Sequence, residues 1–222
     1  QAEKIFSYIN IVLKQEENVI KAITEFSDNF SDAFKGLSHD EKGLEINYSV
    51  FMPKNIPLKL VNKYGSVFIN ELTSTSTIDI KYGKLTANKI LHDSQQPLTQ
   101  ILLGYSNATI QECMWLKIDI KYSKIQISQS KAIVVVSKYS KVYIDNGSSI
   151  VSESKYDTYE LGSFNNIVAT AGYTHFEIKK ITNKIYFDTK YTDVIINQVP
   201  TGFESIRINN SYGSYKIGIS PD

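Results

Sequence analysis

The sequence predicts a mainly β protein: a parallel β-solenoid of about nine coils, each of about 17 residues, preceded by a short α/β cap. A tyrosine-centred phrase recurs along the chain, as in "KYSKIQIS" at 121–128 and "KYSKVYID" at 138–145. Apolar and polar residues alternate on both sides of each tyrosine, and the alternation slips by one at the same place in every copy. A unit this short cannot bury its apolar side alone, so successive units have to stack around a shared interior.

The first 50 residues have a different pattern from the repeats and form the first predicted domain. The repeats of 51–222 form the second. Residues 7–14 and 44–53 alternate like strands. Between them, apolar residues at three- and four-residue steps predict an amphipathic helix that begins near Glu16. Its apolar stripe comprises Ile20, Ile23, Phe26, Phe30, Phe34 and Leu37. Because the end of a solenoid exposes unpaired strand edges, we expect this segment to cap the first coil.

Nine of the fifteen tyrosines share the repeated register. The positions two and four residues before each are apolar or small, which predicts a half-buried strand with the tyrosine pointing inward. The next apolar positions lie three and five residues after the tyrosine, so a corner has to intervene, and the residue directly after it is of a small or turn-forming type. The stacked ladder predicted in this way comprises Tyr64, Tyr82, Tyr105, Tyr122, Tyr139, Tyr156, Tyr173, Tyr191 and Tyr212.

Coils in register lie ~4.8 Å apart, which lets successive tyrosine rings pack on one another. Right-handed winding is expected from the crossover rule for parallel strands. Two longer intervals, at 91–100 with Pro97 and at 198–203, are predicted to be loops extruded from a coil. An antiparallel barrel is the alternative fold, but its strands need longer runs of unbroken alternation than these repeats contain.

The stretches 46–70 and 78–87 resemble the bacterial adhesin-like β-helix proteins of Bacteroides-type cell envelopes. In that family a Val-Pro step precedes a coil of the form L-x-L-x-N-x-Y/F-G-x-V/I. The matching positions here are Met52, Pro53, Leu58, Leu60, Asn62, Tyr64, Gly65 and Val67. The resemblance covers roughly 44–222 and implies a β-helix fold, export to the periplasm, cell surface or extracellular space, and an adhesive role. It brings no catalytic residues, and the helical N-terminal segment departs from the family pattern.

Composition argues against several kinds of site. Lysine plus arginine (24) nearly equals aspartate plus glutamate (23), so any electrostatic site has to be local. The single arginine, Arg207, argues against nucleic-acid readout, and no apolar run approaches the ~20 residues of a membrane span. Neither the three histidines (His39, His92 and His175) nor the single Cys113 has metal-ligand spacing. We therefore expect no metal, cofactor, nucleic acid or membrane span.

Catalysis is also disfavoured by the sequence. A β-helix hydrolase or lyase needs clustered carboxylates. Asp79 and Asp119 share an outward register, but the intervening coil carries Leu102, so the two acids are expected ~10 Å apart with no third acid. A carbohydrate-active enzyme is therefore the least favoured function.

Lysines flank the tyrosine in most repeats, one residue before it or two residues after it. One interpretation is a solvated corner that keeps the protein soluble and discourages edge pairing. The other is a surface for an anionic glycan, because a charge repeated in every coil suits a repeating ligand. The candidate polyanion-binding residues are Lys81, Lys84, Lys121, Lys124, Lys138, Lys141 and Lys155.

Two functions remain. The favoured one is a non-enzymatic cell-envelope or surface protein that presents a rigid solenoid for adhesion, with a surface glycan or another envelope protein as its partner. The alternative is a structural or partner-docking module of the envelope.

Overall fold

The computed structural model describes residues 6–35, 45–94 and 97–219. The chain divides into two compact units, Gln1–Phe51 and Met52–Asp222. The first unit contains an antiparallel hairpin of β1 (Ile9–Glu16) and β2 (Val19–Phe26), followed by the short helix α1 (Phe30–Lys35). Glu17, in the turn between the strands, has a positive φ of 49°.

The predicted amphipathic helix beginning near Glu16 is wrong over most of its length. Ile20, Ile23 and Phe26 lie in β2, whose residues pair one by one with β1. The segment is rich in β-branched residues, and pairing with the preceding strand outweighs the helical spacing of its apolar side chains. Of the predicted stripe, only Phe30 and Phe34 lie in α1, and Leu37 falls outside the described residues. Residues 45–53 form no regular strand, contrary to prediction, and the capping role stays a prediction.

The second unit is a parallel β-solenoid of about nine coils, which confirms the predicted fold. Every strand pair in its sheet is parallel, and the long strands pair at the coil spacing, as Ile125 with Val142 and Val142 with Tyr159. The strands are β3 (Leu58–Lys63), β4 (Ser66–Leu72), β5 (Ser76–Lys81), β6 (Lys84–Ile90), β7 (Thr99–Gly104), β8 (Asn107–Lys121), β9 (Lys124–Lys138), β10 (Lys141–Lys155), β11 (Thr158–Gly172), β12 (His175–Lys190), β13 (Asp193–Val199), β14 (Ser205–Ser211) and β15 (Tyr215–Ile219).

The core is a set of columns in which each buried side chain meets its counterpart one coil away. Burial along β8 alternates except at two steps of three residues, from Ile110 to Cys113 and from Cys113 to Leu116. These steps mark two bends, and the tyrosine supplies the third corner of the coil. Residues 91–94, 97–98 and 200–204 lie outside the strands, as predicted for extruded loops.

Candidate functional site: the tyrosine and lysine corner

All nine repeat tyrosines adopt the left-handed backbone conformation, with φ between 51° and 62°. A single residue in this conformation reverses the face of the strand to which the following side chains point. The last core-facing residue before the tyrosine and the first one after it are therefore three positions apart. The prediction that the tyrosines point inward is therefore wrong. Their side chains lie on the outside, from 39% exposed at Tyr156 to 77% exposed at Tyr64. This reversal is the slip in alternation that the sequence shows.

The inward position at the corner belongs to the residue after each tyrosine. Ser140 is representative: its hydroxyl accepts a hydrogen bond from the backbone N–H of Ser123 one coil earlier (3.2 Å) and donates to the carbonyl oxygen of Lys138 (2.9 Å). The residues whose hydroxyls donate in the same way are Ser106, Ser123, Ser140, Thr174 and Thr192. We call this column the hydroxyl ladder. Its small polar residues satisfy buried backbone groups, whereas the backbone bend itself falls on the tyrosine.

The tyrosine ladder itself is confirmed. Centroids of consecutive rings are 4.8–5.2 Å apart, and the ring planes lie within 21° of parallel. A non-glycine residue in the left-handed region costs ~1–2 kcal/mol, and each stacked pair returns ~0.5–1.5 kcal/mol beyond its area burial. Because each inner ring is stacked on both faces, the ladder presents ring edges and phenol hydroxyls to solvent.

The parallel register places the predicted lysines in two rows beside the ladder. On one side, Lys121 pairs with Lys138 and Lys138 with Lys155. On the other side, Lys124 pairs with Lys141. We call these five residues the basic block. Lys81 and Lys84 lie in the same rows but are separated from the block by Gly104 and Asn107.

The basic block is a local concentration of positive charge. Among the residues that the structure describes, none of its five ammonium groups lies within ion-pair distance of a carboxylate. Two of them lie near ladder rings instead: the Nζ atoms of Lys138 and Lys155 are each 5.4 Å from the ring centroid of the following tyrosine. Lys81 differs, because its Nζ lies 3.9 Å from Asp79 Oδ2.

An open groove of about 510 Å³ runs between the tyrosine ladder and the second lysine row. Its lining residues are Tyr105, Ser106, Asn107, Tyr122, Ser123, Lys124, Tyr139 and Lys141. Ammonium and hydroxyl groups dominate the polar side chains of this lining, and it contains no carboxylate or imidazole. The groove therefore offers hydrogen-bond donors and positive charge to a ligand.

Asp157 interrupts the hydroxyl ladder beneath the basic block, a feature that sequence reasoning missed. Its carboxylate is buried and accepts hydrogen bonds from Ser140 N (2.6 Å), Lys155 N (2.8 Å) and Ser137 Oγ (2.8 Å). The Ser137 hydroxyl also hydrogen-bonds the hydroxyl of buried Tyr159 (2.6 Å). Burial raises the pKa of the Asp157 carboxyl, although these hydrogen bonds oppose the rise. An aspartate in a column of serine and threonine was the available signal.

The remaining candidates do not form a site. Leu102 pairs with both Asp79 and Asp119, so these acids lie two coils apart. Cys113 is buried, which raises the pKa of its thiol to about 12. His39 lies outside the described residues, and His92 Nε2 lies 2.9 Å from Thr75 Oγ1.

No group of three or more histidine, cysteine, aspartate or glutamate residues in the described ranges could hold a metal ion. None of the helices described is long and apolar enough to cross a membrane. The likeness to adhesin-like β-helix proteins stays a prediction from the residues, since no family model, curated protein or solved structure matches this chain.

Proposed function

We propose that this protein is a non-enzymatic cell-envelope or surface protein that binds an extended anionic glycan along its tyrosine and lysine corner. The observation that carries the proposal is the basic block: five lysines in register, on both sides of a rigid ladder, with no carboxylate at ion-pair distance among the described residues. Export and an adhesive role are part of the proposal and rest on the family resemblance.

The register of the rows sets the direction of the ligand. Lysines in adjacent coils are separated by about 4.8 Å at the backbone, and like charges at such a spacing repel by about 1 kcal/mol per pair even in bulk water. A polyanion that lies parallel to the solenoid axis meets these charges in succession and removes the repulsion. It also releases its own counterions, which makes binding strongly dependent on salt.

The stacking of the rings narrows the class of glycan. Sugars usually bind aromatic residues through the face of the ring, and the inner ladder tyrosines have a neighbouring ring on each face. The surface available to a ligand consists of ring edges, phenol hydroxyls and ammonium groups. These groups suit sulfate and carboxylate substituents, so sulfated or uronic-acid glycans fit the corner better than neutral ones.

The test is a variant in which Lys121, Lys124, Lys138 and Lys141 are replaced by glutamine. Binding to heparin and to polygalacturonate is measured by isothermal titration calorimetry at several salt concentrations. For the wild type, five phosphate-like contacts predict that log Kd rises with log salt with a slope of about 3.5. The variant should lose nearly all binding and keep its thermal stability, because these side chains lie on the surface.

In the matched control, glutamine replaces four lysines that lie outside the two rows, so that the same charge is removed. These are Lys59, Lys179, Lys180 and Lys216. Equal losses in the two variants would show that net charge, rather than the corner, attracts the ligand. A wild-type chain that binds neither polymer at low salt, and whose melting temperature neither polymer raises, would refute the proposal.

The alternative, a structural or partner-docking module of the envelope, is favoured by a different surface. Val134, Val151, Val168 and Tyr186 form an in-register row on the outside of the solenoid, and the last three are about half exposed. A row of exposed apolar side chains is typical of a surface that contacts another protein. Absence of polyanion binding would leave this function as the better supported one.

A further inference from the structure

Both lysine rows of the corner end at nearly the same coils. In the row before the tyrosines, Lys121, Lys138 and Lys155 are bounded by Gly104 on one side and Gly172 on the other. In the row after the tyrosines, Lys124 and Lys141 are bounded by Asn107 and Thr158. The cationic surface is therefore a closed patch within a much longer tyrosine ladder.

Two further features coincide with this patch. The open groove beside the ladder is lined by residues from Tyr105 to Lys141, and so overlaps two of the three coils of the patch, those of Tyr122 and Tyr139. Beyond the boundary at Gly104, the next lysine in the row, Lys81, has an acid partner in Asp79. Lysines in consecutive coils and a groove thus occur together in one part of the ladder.

We propose, on the basis of the function proposed above, that the glycan site has a fixed length of three coils, closed by Gly104 and Gly172. The ligand is a linear oligoanion that lies along the solenoid axis. The backbone positions of Lys121 and Lys155 are two strand intervals apart, about 10 Å. An anionic group one coil beyond either end of this span meets glycine, which has no side chain to contact it. Affinity should therefore rise with ligand length only until the three coils are covered.

The two boundary glycines can be tested by substitution because both have room for a side chain. A Cβ atom at Gly104 would lie 3.6 Å from Lys81 Cγ, and one at Gly172 would lie 3.8 Å from the carbonyl oxygen of Lys190, both ordinary contact distances. Neither glycine has a positive φ. The double variant Gly104→Lys, Gly172→Lys would make the row continuous from Lys63 to Lys190, seven strand intervals or roughly 34 Å.

The experiment measures the affinity of size-defined oligogalacturonates, from dimers to sixteen-mers, at one low salt concentration. For the wild type we expect a steep rise with length and then a plateau. For the lysine double variant we expect the plateau at least twice as far along the series, with roughly tenfold tighter binding of the longest ligands. The control, Gly104→Gln with Gly172→Gln, should keep the wild-type plateau, and circular dichroism verifies that both variants are folded.

The possible failures are distinct. A wild-type affinity that keeps rising steeply to the longest oligomer would overturn the fixed length while leaving the proposed function intact. A folded lysine double variant with the wild-type plateau would overturn it as well. A wild type that binds no oligomer of any length would overturn the proposed function together with this inference.

Discussion

Replacing Tyr139 with glycine should cost less stability than replacing it with alanine, the reverse of the usual order in a strand. Tyr139 has φ of 53° and stacks on Tyr122 and Tyr156, with ring centroids 5.0 and 4.9 Å away. Both substitutions remove these two contacts, a loss of ~1–3 kcal/mol at ~0.5–1.5 kcal/mol per pair. They differ in the backbone, because only alanine retains the cost of a side chain in the left-handed region.

The difference between the two variants can be estimated from these terms. The left-handed conformation costs alanine ~1–2 kcal/mol, whereas glycine loses ~0.5–1 kcal/mol more conformational freedom on folding. Glycine should therefore be more stable than alanine at position 139 by about 0.5–1 kcal/mol. Tyr143 provides the matched control, because it lies in β10 without a positive φ. There the order should be the ordinary one, with alanine more stable by ~0.5–1 kcal/mol.

The assay is urea denaturation of the four variants and the wild type. The slope of the unfolding free energy against urea concentration should be the same for all five proteins. The informative quantity is the sign of the glycine-minus-alanine difference at each position. If alanine equals or exceeds glycine in stability at position 139, the left-handed corner is not the state of this residue in solution. The outward orientation of the ladder would then be wrong too.

Two further predictions concern the interior. Because burial raises the pKa of the Asp157 carboxyl in the folded chain, its contribution to stability is complete below about pH 4 and is lost as pH rises through the folded pKa. Asp157→Ser should remove this loss, so denaturation from pH 4 to 7 should show the wild type losing stability relative to the variant. A difference in unfolding free energy that stays constant over this pH range would contradict the raised pKa of Asp157. A Cβ at Gly147 would lie 2.4 Å from Phe164 Cε1, so Gly147→Ala should cost ~1–3 kcal/mol in thermal denaturation. Adding Phe164→Leu should cost less than the sum of the single changes, and strict additivity would argue against this contact.

The period and most of the core columns could be predicted from the sequence, because stacking forces each coil to repeat the same pattern of burial. The orientation of the tyrosines could not. Counting by twos from the residues before Tyr139 places it inside, whereas counting back from Val142 places Ser140 inside, and a regular strand cannot satisfy both. The conflict is resolved by a left-handed residue, which is uncommon outside glycine, asparagine and aspartate. No chemical property of tyrosine indicates that it adopts this conformation.

The N-terminal segment shows a second limit of prediction from the sequence. Ile20, Ile23 and Phe26 have helical spacing, but whether that spacing produces a helix depends on what else can pair with the segment. The partner is β1, and the cross-strand register from Ile9 to Glu16 is set by the intervening turn. Local periodicity cannot weigh that competition, since the competing contacts are made with another strand, across the turn.

The two lysine rows could be predicted from the repeat, whereas their surroundings could not. The ion pair of Lys81 with Asp79, the absence of comparable partners for the basic block in the described residues, and the groove beside the ladder all depend on side-chain positions. The hydrogen bonds that the buried Asp157 carboxyl accepts from Ser137 and Ser140 likewise become visible only once the coils stack.

The equal spacing of the central corners has an evolutionary consequence. Four successive intervals, from Tyr105 to Tyr173, are each 17 residues long, and each ladder ring in them stacks on its counterparts in the coils above and below. Duplication of one such interval within the gene would insert a coil whose side chains find the same kinds of neighbours on both sides. The protein can thus lengthen or shorten in whole steps without redesign of its interior, and the number of lysines it displays would change with each step.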